Sequence, residues 1–194
     1  MNRRGDYIGT FTGKQFWPLD PRPEEVCLED IAHALANICR FNGHTNRFYS
    51  VARHCLNVEA LLKQRGFDKR IRLYGLLHDA AEAYICDIPR PLKHFMPEYR
   101  ETEDAVQKAI YKHFGLTWPT AEEEKAIKAA DDYVLALEAK KLMRNIKAWN
   151  LVRTEPGDSI QVFYDECWKN GIEYHYYYRV SMLLDAMEAD ACDA

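Results

Sequence analysis

From Leu28 onward, apolar residues return every three or four positions, the spacing that lines one face of an α-helix. Ile31, Leu35 and Ile38, with Ala34 beside them, form one such face, ending near Arg40-Phe41 before an Asn42-Gly43 turn. Ser50 stands as an N-cap before Val51, Cys55, Val58 and Leu62, and Gly66 closes that helix. A third helix is predicted over 68–84, and others over about 97–114, 120–145 and 172–188, with Thr120-Ala-Glu-Glu reading as a capping box. Pro89 and Pro91 predict an irregular loop over 86–93, and residues 154–159 form a late loop. Only the stretch 6–17 has β character, a short hairpin about Thr12-Gly13, and Pro18, Pro21 and Pro23 then break any regular element. The expected fold class is all-α: a helical bundle over 28–194, preceded by a small hairpin and a Pro-rich lead-in over 1–27.

A chain of 194 residues that is 47% hydrophobic and 29% charged can bury a real core as one domain. Lys plus Arg is 26 and Asp plus Glu is 30, a formal charge of -4 that gives no general attraction to a nucleic-acid polymer or an anionic membrane. No window holds about 18 uninterrupted apolar residues, and the N-terminus lacks the apolar region of a signal peptide. A soluble, cytoplasmic protein is expected. Cys27, Cys39, Cys55, Cys86, Cys167 and Cys192 form no CxxC pair, and are expected to be reduced and mostly buried thiols.

Chemistry concentrates in Leu76-Leu77-His78-Asp79-Ala80-Ala81-Glu82. A carboxylate inside an apolar helix needs a positive partner, and a divalent metal accepts imidazole nitrogen and carboxylate oxygen together. Glu82 lies four residues after His78 and three after Asp79, so the three can converge on one end of a pocket. His54 sits on a helix whose other face is apolar, and Asp131-Asp132 sit on a later one. At ~100° per residue, Asp131 falls on the side of Ile127 and Val134, whereas Asp132 turns toward Lys125 and solvent.

His54, His78-Asp79 and Asp131 resemble the H…HD…D signature of the HD-domain metal-dependent phosphohydrolases. The likeness extends to Asp87-Ile-Pro-Arg-Pro-Leu-Lys93 and Ile127-Lys-Ala-Ala-Asp131, and is greatest to the branch of bacterial 5′-deoxynucleotidases and phage deoxynucleoside triphosphohydrolases. It covers roughly 28–142, leaving out the hairpin and the segment after Asn145. The resemblance implies an HD-domain bundle in which His54, His78, Asp79 and Asp131 hold one divalent ion. Two imidazoles and two carboxylates suit Mn, Co, Fe or Zn, with Mg as an addition. Such an ion lowers the pKa of water and polarises a phosphoryl oxygen. Glu82 is implied as the catalytic acid or base, Asp87 as a residue placing the nucleotide, Arg40, Lys93 and Lys128 as phosphate contacts, and Phe41 as a stacking surface.

The expected activity is hydrolysis of a nucleotide, a (deoxy)nucleoside 5′-mono- or triphosphate. The alternatives are a dinuclear HD oxygenase, for which His94 and His113 would be the extra ligands, and a nucleotide sensor without turnover. His44 is expected to be a loop residue, Glu122-Glu-Glu124 a solvated first turn facing the helix dipole, and Tyr174-His-Tyr-Tyr-Tyr178 a packing or subunit contact in a homo-oligomer.

Overall fold

The computed structural model describes residues 3–155 and 171–192. Cys167 and the part of the late loop from 156 to 159 lie outside the described residues. The described residues are mostly α-helical, with one small antiparallel hairpin. Strands β1 (Ile8–Gly9) and β2 (Gln15–Phe16) pair with Ile8 opposite Phe16 and Gly9 opposite Gln15. Thr10 and Gly13 close the turn, as the Thr12-Gly13 signal predicts. Asp30 pins the hairpin down, accepting hydrogen bonds from Thr12 N (2.7 Å) and Thr12 Oγ1 (3.0 Å), and Phe16 stacks on Tyr84 in the core.

Helices α1 (Leu28–Asn37) and α2 (Val51–Gln64) are joined by a 3-10 turn at Arg40–Gly43. Ser50 caps α2 through its side chain, as expected. Next come α3 (Lys69–Leu77), the one-turn helices α4 (Glu82–Ile85) and α5 (Arg90–Lys93), α6 (Pro97–His113), α7 (Ala121–Leu142) and α8 (Gly171–Cys192). The Thr120 capping box forms with both of its bonds. Helix α2 packs between α3 and α7, while α8 covers α1 and α3. The approach of α3 to α2 is close: a Cβ on Gly75 would lie 2.4 Å from Leu62 Cδ1. Buried Glu59 of α2 ties the helices together, paired with Arg72 of α3 at 2.6 Å and Arg179 of α8 at 3.4 Å. Among the described residues, no helix is long and apolar enough to cross a membrane.

Three expectations need correction. The helix predicted over 68–84 stops at Leu77, and the backbone turns through His78–Ala81 before α4. The cause is Gln107 of α6, a buried side chain inserted at the break. Its Nε2 donates to Leu77 O (2.8 Å) and its Oε1 accepts from Ala81 N (3.1 Å), pairing two backbone groups that a continuous helix would have paired internally. Second, the 86–93 loop is irregular only to Pro89, where Pro at the start of α5 suits a helical first turn. Third, the described thiols are not mostly buried: Cys55 is, but Cys27 and Cys39 are half-buried, and Cys86 and Cys192 are exposed at helix ends. The tyrosine cluster of α8 divides similarly. Tyr176 is buried and donates to Leu76 O at 2.7 Å, while Tyr174, Tyr177 and Tyr178 face solvent.

Gln107→Leu leaves the Ala81 amide without a partner and the Leu77 carbonyl with only the Ala80 N–H at 3.0 Å, and is expected to cost about 1–3 kcal/mol. Urea unfolding followed by circular dichroism measures the loss.

Candidate metal and phosphate site

The break after α3 decides the geometry of the site. On an unbroken helix, neighbouring side chains diverge by ~100°. Here the turn brings His78 and Asp79 to the same centre, with Asp79 Oδ2 3.3 Å from His78 Nε2. His54 reaches that centre from α2, its Nε2 lying 3.1 Å from Asp131 Oδ1 and 3.8 Å from Asp79 Oδ2. Potential ligand atoms of His54, His78 and Asp131 all fall within 4.8 Å of one another. Asp131 is the inward residue of its pair, as the helical phase predicts, and Asp132 is held on the outer side by Lys128 and Arg90.

The two imidazoles are oriented from behind. His54 donates from Nδ1 to Glu138 of α7 (3.0 and 3.1 Å to the two oxygens), and His78 donates from Nδ1 to the carbonyl of Gly75 (2.9 Å). This leaves each Nε2 facing inward as a bare lone pair when the ring is neutral. Both Nε2 atoms are buried and have no hydrogen-bond partner of good geometry. Two such orphans beside Asp131, with Asp79 Oδ2 3.3 and 3.8 Å from them, fit a divalent cation. Cys55 also lies within 4.8 Å of His78 and Asp79. Burial pushes its thiol up to about 11, so it stays protonated and is a poor rival to Asp79 as a ligand.

The charges around this centre hold one another in place. Burial acts to raise the carboxyl of Asp131, but His54 and the positive field of His78 and Lys128 hold it well below the usual range. Glu138 is fully buried, and although that also acts to raise it, His54 and Arg40 keep it low. Arg40 stands between two anions, Asp79 (3.5 Å) and Glu138 (3.3 Å). Glu82 is different. Burial, with Asp79 and Asp87 nearby, raises it well above the ordinary glutamate value, and its Oε2 has no partner. Asp87 is raised for the same first reason, burial, with Asp79 adding to it.

Of the expected residues, Arg40, Phe41, Asp79, Glu82, Asp87, Lys93 and Asp131 line a cavity of about 730 Å³, whereas His54 and His78 are not among its lining residues. His44, expected to be a plain loop residue, lines it too. Lys128 does not: its ammonium bridges Asp131 (2.7 Å) and Asp132 (2.6 Å) outside the cavity wall. Lys93 lines the cavity but is paired with Glu103 at 2.7 Å. The two histidines of the dinuclear alternative stand elsewhere. His94 is exposed, and His113 has its Nδ1 2.8 Å from the carbonyl of Pro23.

Four participants escaped the sequence reading. Arg90 and Trp149 line the cavity. Glu138 is the partner of His54, and Tyr49 donates to Glu138 at 2.8 Å while accepting from Asn57 at 2.6 Å. A signal for Glu138 did exist. Ile127, Asp131, Val134 and Glu138 recur at spacings of four, three and four, so a second carboxylate shared the inward stripe of α7 with Asp131.

No family model matches this chain. It is 38% identical over 136 residues to the uncharacterised protein YfdR of Escherichia coli K12, a match covering 70% of this chain and 72% of that protein. It is 40% identical over 137 residues to the uncharacterised protein RCAP_rcc00048 of Rhodobacter capsulatus, covering 68% and 70%. A more distant similarity, 28% over 117 residues, is to the 5′-deoxynucleotidase PBPRA2627 of Photobacterium profundum, covering 50% of this chain and 60% of that protein.

Glu138→Gln keeps the side-chain shape but removes the charge behind His54. It is expected to weaken Mn²⁺ binding by roughly 10–100-fold in titration calorimetry. In metal-content analysis Asp131→Ala should lose the ion and Asp132→Ala should retain it; the reverse pattern would mean that the inward face of α7 has been misassigned.

Proposed function

This chain belongs to the family that includes YfdR of Escherichia coli, and we propose that it is a metal-dependent phosphohydrolase of the HD type acting on nucleoside 5′-monophosphates. The observation that carries the reading is the pair of buried, unpartnered Nε2 atoms set against Asp79 and Asp131, next to Glu82 at the wall of a nucleotide-sized cavity. The distant similarity to a protein named 5′-deoxynucleotidase supports it.

His54, His78, Asp79 and Asp131 would hold the ion. When bound, it supplies positive charge that acidifies water and neutralises a phosphoryl oxygen. Arg40 turns its guanidinium toward the same centre, where a fork of N–H donors suits a phosphate. Glu82 takes the proton that the attacking water loses and returns it to the departing 5′ oxygen, so that water and ester become phosphate and nucleoside. Burial, with Asp79 and Asp87 nearby, raises its carboxyl and makes it a stronger proton acceptor than an ordinary glutamate. Asp87, raised as well, faces the cavity where it can hold the nucleotide by a hydrogen bond.

Charge favours a monophosphate over a triphosphate. The cavity wall carries the four carboxylates Asp79, Glu82, Asp87 and Asp131 against the three cations Arg40, Arg90 and Lys93. With all of these ionised a divalent ion tips the balance only slightly positive, and Lys93 and Arg90 are already shared with Glu103 and Asp132, which suits a dianion better than a tripolyphosphate chain. Lys128, the further cation that the resemblance implied, is taken up by Asp131 and Asp132.

A panel of nucleoside mono-, di- and triphosphates, ribo and deoxy, with Mn²⁺, Co²⁺, Zn²⁺ or Mg²⁺ should release inorganic phosphate from 5′-monophosphates. Glu82→Gln should lower kcat by about 10²–10⁴-fold with metal content unchanged. Release of tripolyphosphate, or tight nucleotide binding with no product under any metal, would overturn the proposal; the second result would favour a sensor.

A further inference from the structure

One wall of the cavity is built by the segment C-terminal to α7, beyond the reach of the resemblance. Met143, Trp149, Asn150 and Leu151 line the cavity from this segment. It is fastened at both ends. Asn46 donates its backbone N–H to Leu142 O (3.0 Å) and its side chain to Lys141 O (3.1 Å), while Glu155 N donates to the Tyr133 hydroxyl and Lys140 bonds the side chain of Thr154. Between these anchors, the Trp149 ring stands 6.1 Å from the ring of Phe41, tilted by 38°.

Phe41 is held there at a conformational cost. Both it (φ 54°) and Asn42 (φ 50°) adopt the left-handed backbone conformation that side chains with a Cβ rarely take, and neither is glycine. The consequence is directional. Arg40 points into the carboxylate centre, and the next residue sets its aromatic face on the cavity wall with the Arg40 guanidinium 5.5 Å from the ring. A strained turn thus places the phosphate-binding group and an aromatic surface one residue apart. Asn42, His44 and Asn150 line the same cavity.

We infer that Trp149 and Phe41 form a subsite for the nucleobase, a planar heteroaromatic ring carried on a sugar phosphate whose phosphate sits at Arg40. The inference rests on the nucleotide reading above and adds the residue that recognises the base. A ring inserted between two others needs roughly 7 Å from centroid to centroid, two contacts of ~3.5 Å each. The present 6.1 Å falls short by less than one ångström, and Trp149, 41% exposed, has room to swing outward. Stacking on an aromatic face accepts any base, so the subsite grips the base without selecting it, and Asn42, His44 and Asn150 line the same cavity.

The test compares 2′-deoxyadenosine 5′-monophosphate with 2-deoxyribose 5-phosphate, which share the phosphate and sugar and differ in the base. Steady-state kinetics with Mn²⁺ would be measured for the wild type, Trp149→Ala and Trp149→Phe, and equilibrium binding by calorimetry for the same set in a Glu82→Gln background. Trp149→Ala should raise KM and Kd for the nucleotide by about tenfold or more, change kcat little, and leave the base-free ester unaffected. Trp149→Phe should recover most of the loss. Equal losses for both esters, or none for either, would overturn the subsite while leaving the phosphohydrolase reading in place. If the wild type neither binds nor hydrolyses the nucleotide, the phosphohydrolase reading falls, and this inference with it.

Discussion

His54 is clamped between anions on its two sides: Glu138 against Nδ1, Asp131 and Asp79 against Nε2. A fully buried imidazole in this position joins α2 to α7 and to the turn after α3. Ionised groups buried among apolar helices are destabilising unless each meets an opposite charge or a hydrogen bond. Most of the charges here meet one, since Glu138 also receives Tyr49 and Arg40. Among the buried atoms that lack a hydrogen bond are His54 Nε2, His78 Nε2 and Glu82 Oε2, all in this cluster. Stability is thus given up where a cation, a substrate and a proton would supply the absent partners.

The same need for partners explains the interruption after Leu77. Continuing the helix would satisfy Leu77 O and Ala81 N internally, but would send His78 and Asp79 in different directions. Gln107 satisfies both backbone groups from α6 and frees the turn to face the pocket. Tyr176 does similar service for Leu76 O from α8, and His78 for Gly75 O. The final carbonyls of α3 are each bonded to a different side chain, which fixes where the helix ends.

Across the cavity, chemistry changes from charged to aromatic over a single step of the chain, from Arg40 to Phe41. That division suits a ligand with an anionic head and a flat body. It also explains why a conformation costly for a phenylalanine persists here: relaxing it would carry one of the two side chains out of the pocket.

Much of this was readable before any fold was known. Apolar spacing gave the helices, capping residues gave the starts of α2 and α7, and helical phase alone separated Asp131 from Asp132, because these are properties of a chain and its immediate neighbours. What depended on tertiary contact could not be read that way. The end of α3 is set by Gln107, some thirty residues away in sequence. Lys128 had the right charge and the right helix, but Asp131 and Asp132 drew it out of the cavity. Glu138 shared a face with Asp131, yet only the packing of α7 against α2 made it the support of His54. Trp149 lies in an irregular segment with no periodicity to reveal its direction. Local sequence determined which groups could carry the chemistry, because residue type and helical phase are local. Only the packed structure decided which groups meet, because hydrogen bonds and ion pairs are settled by distance in space.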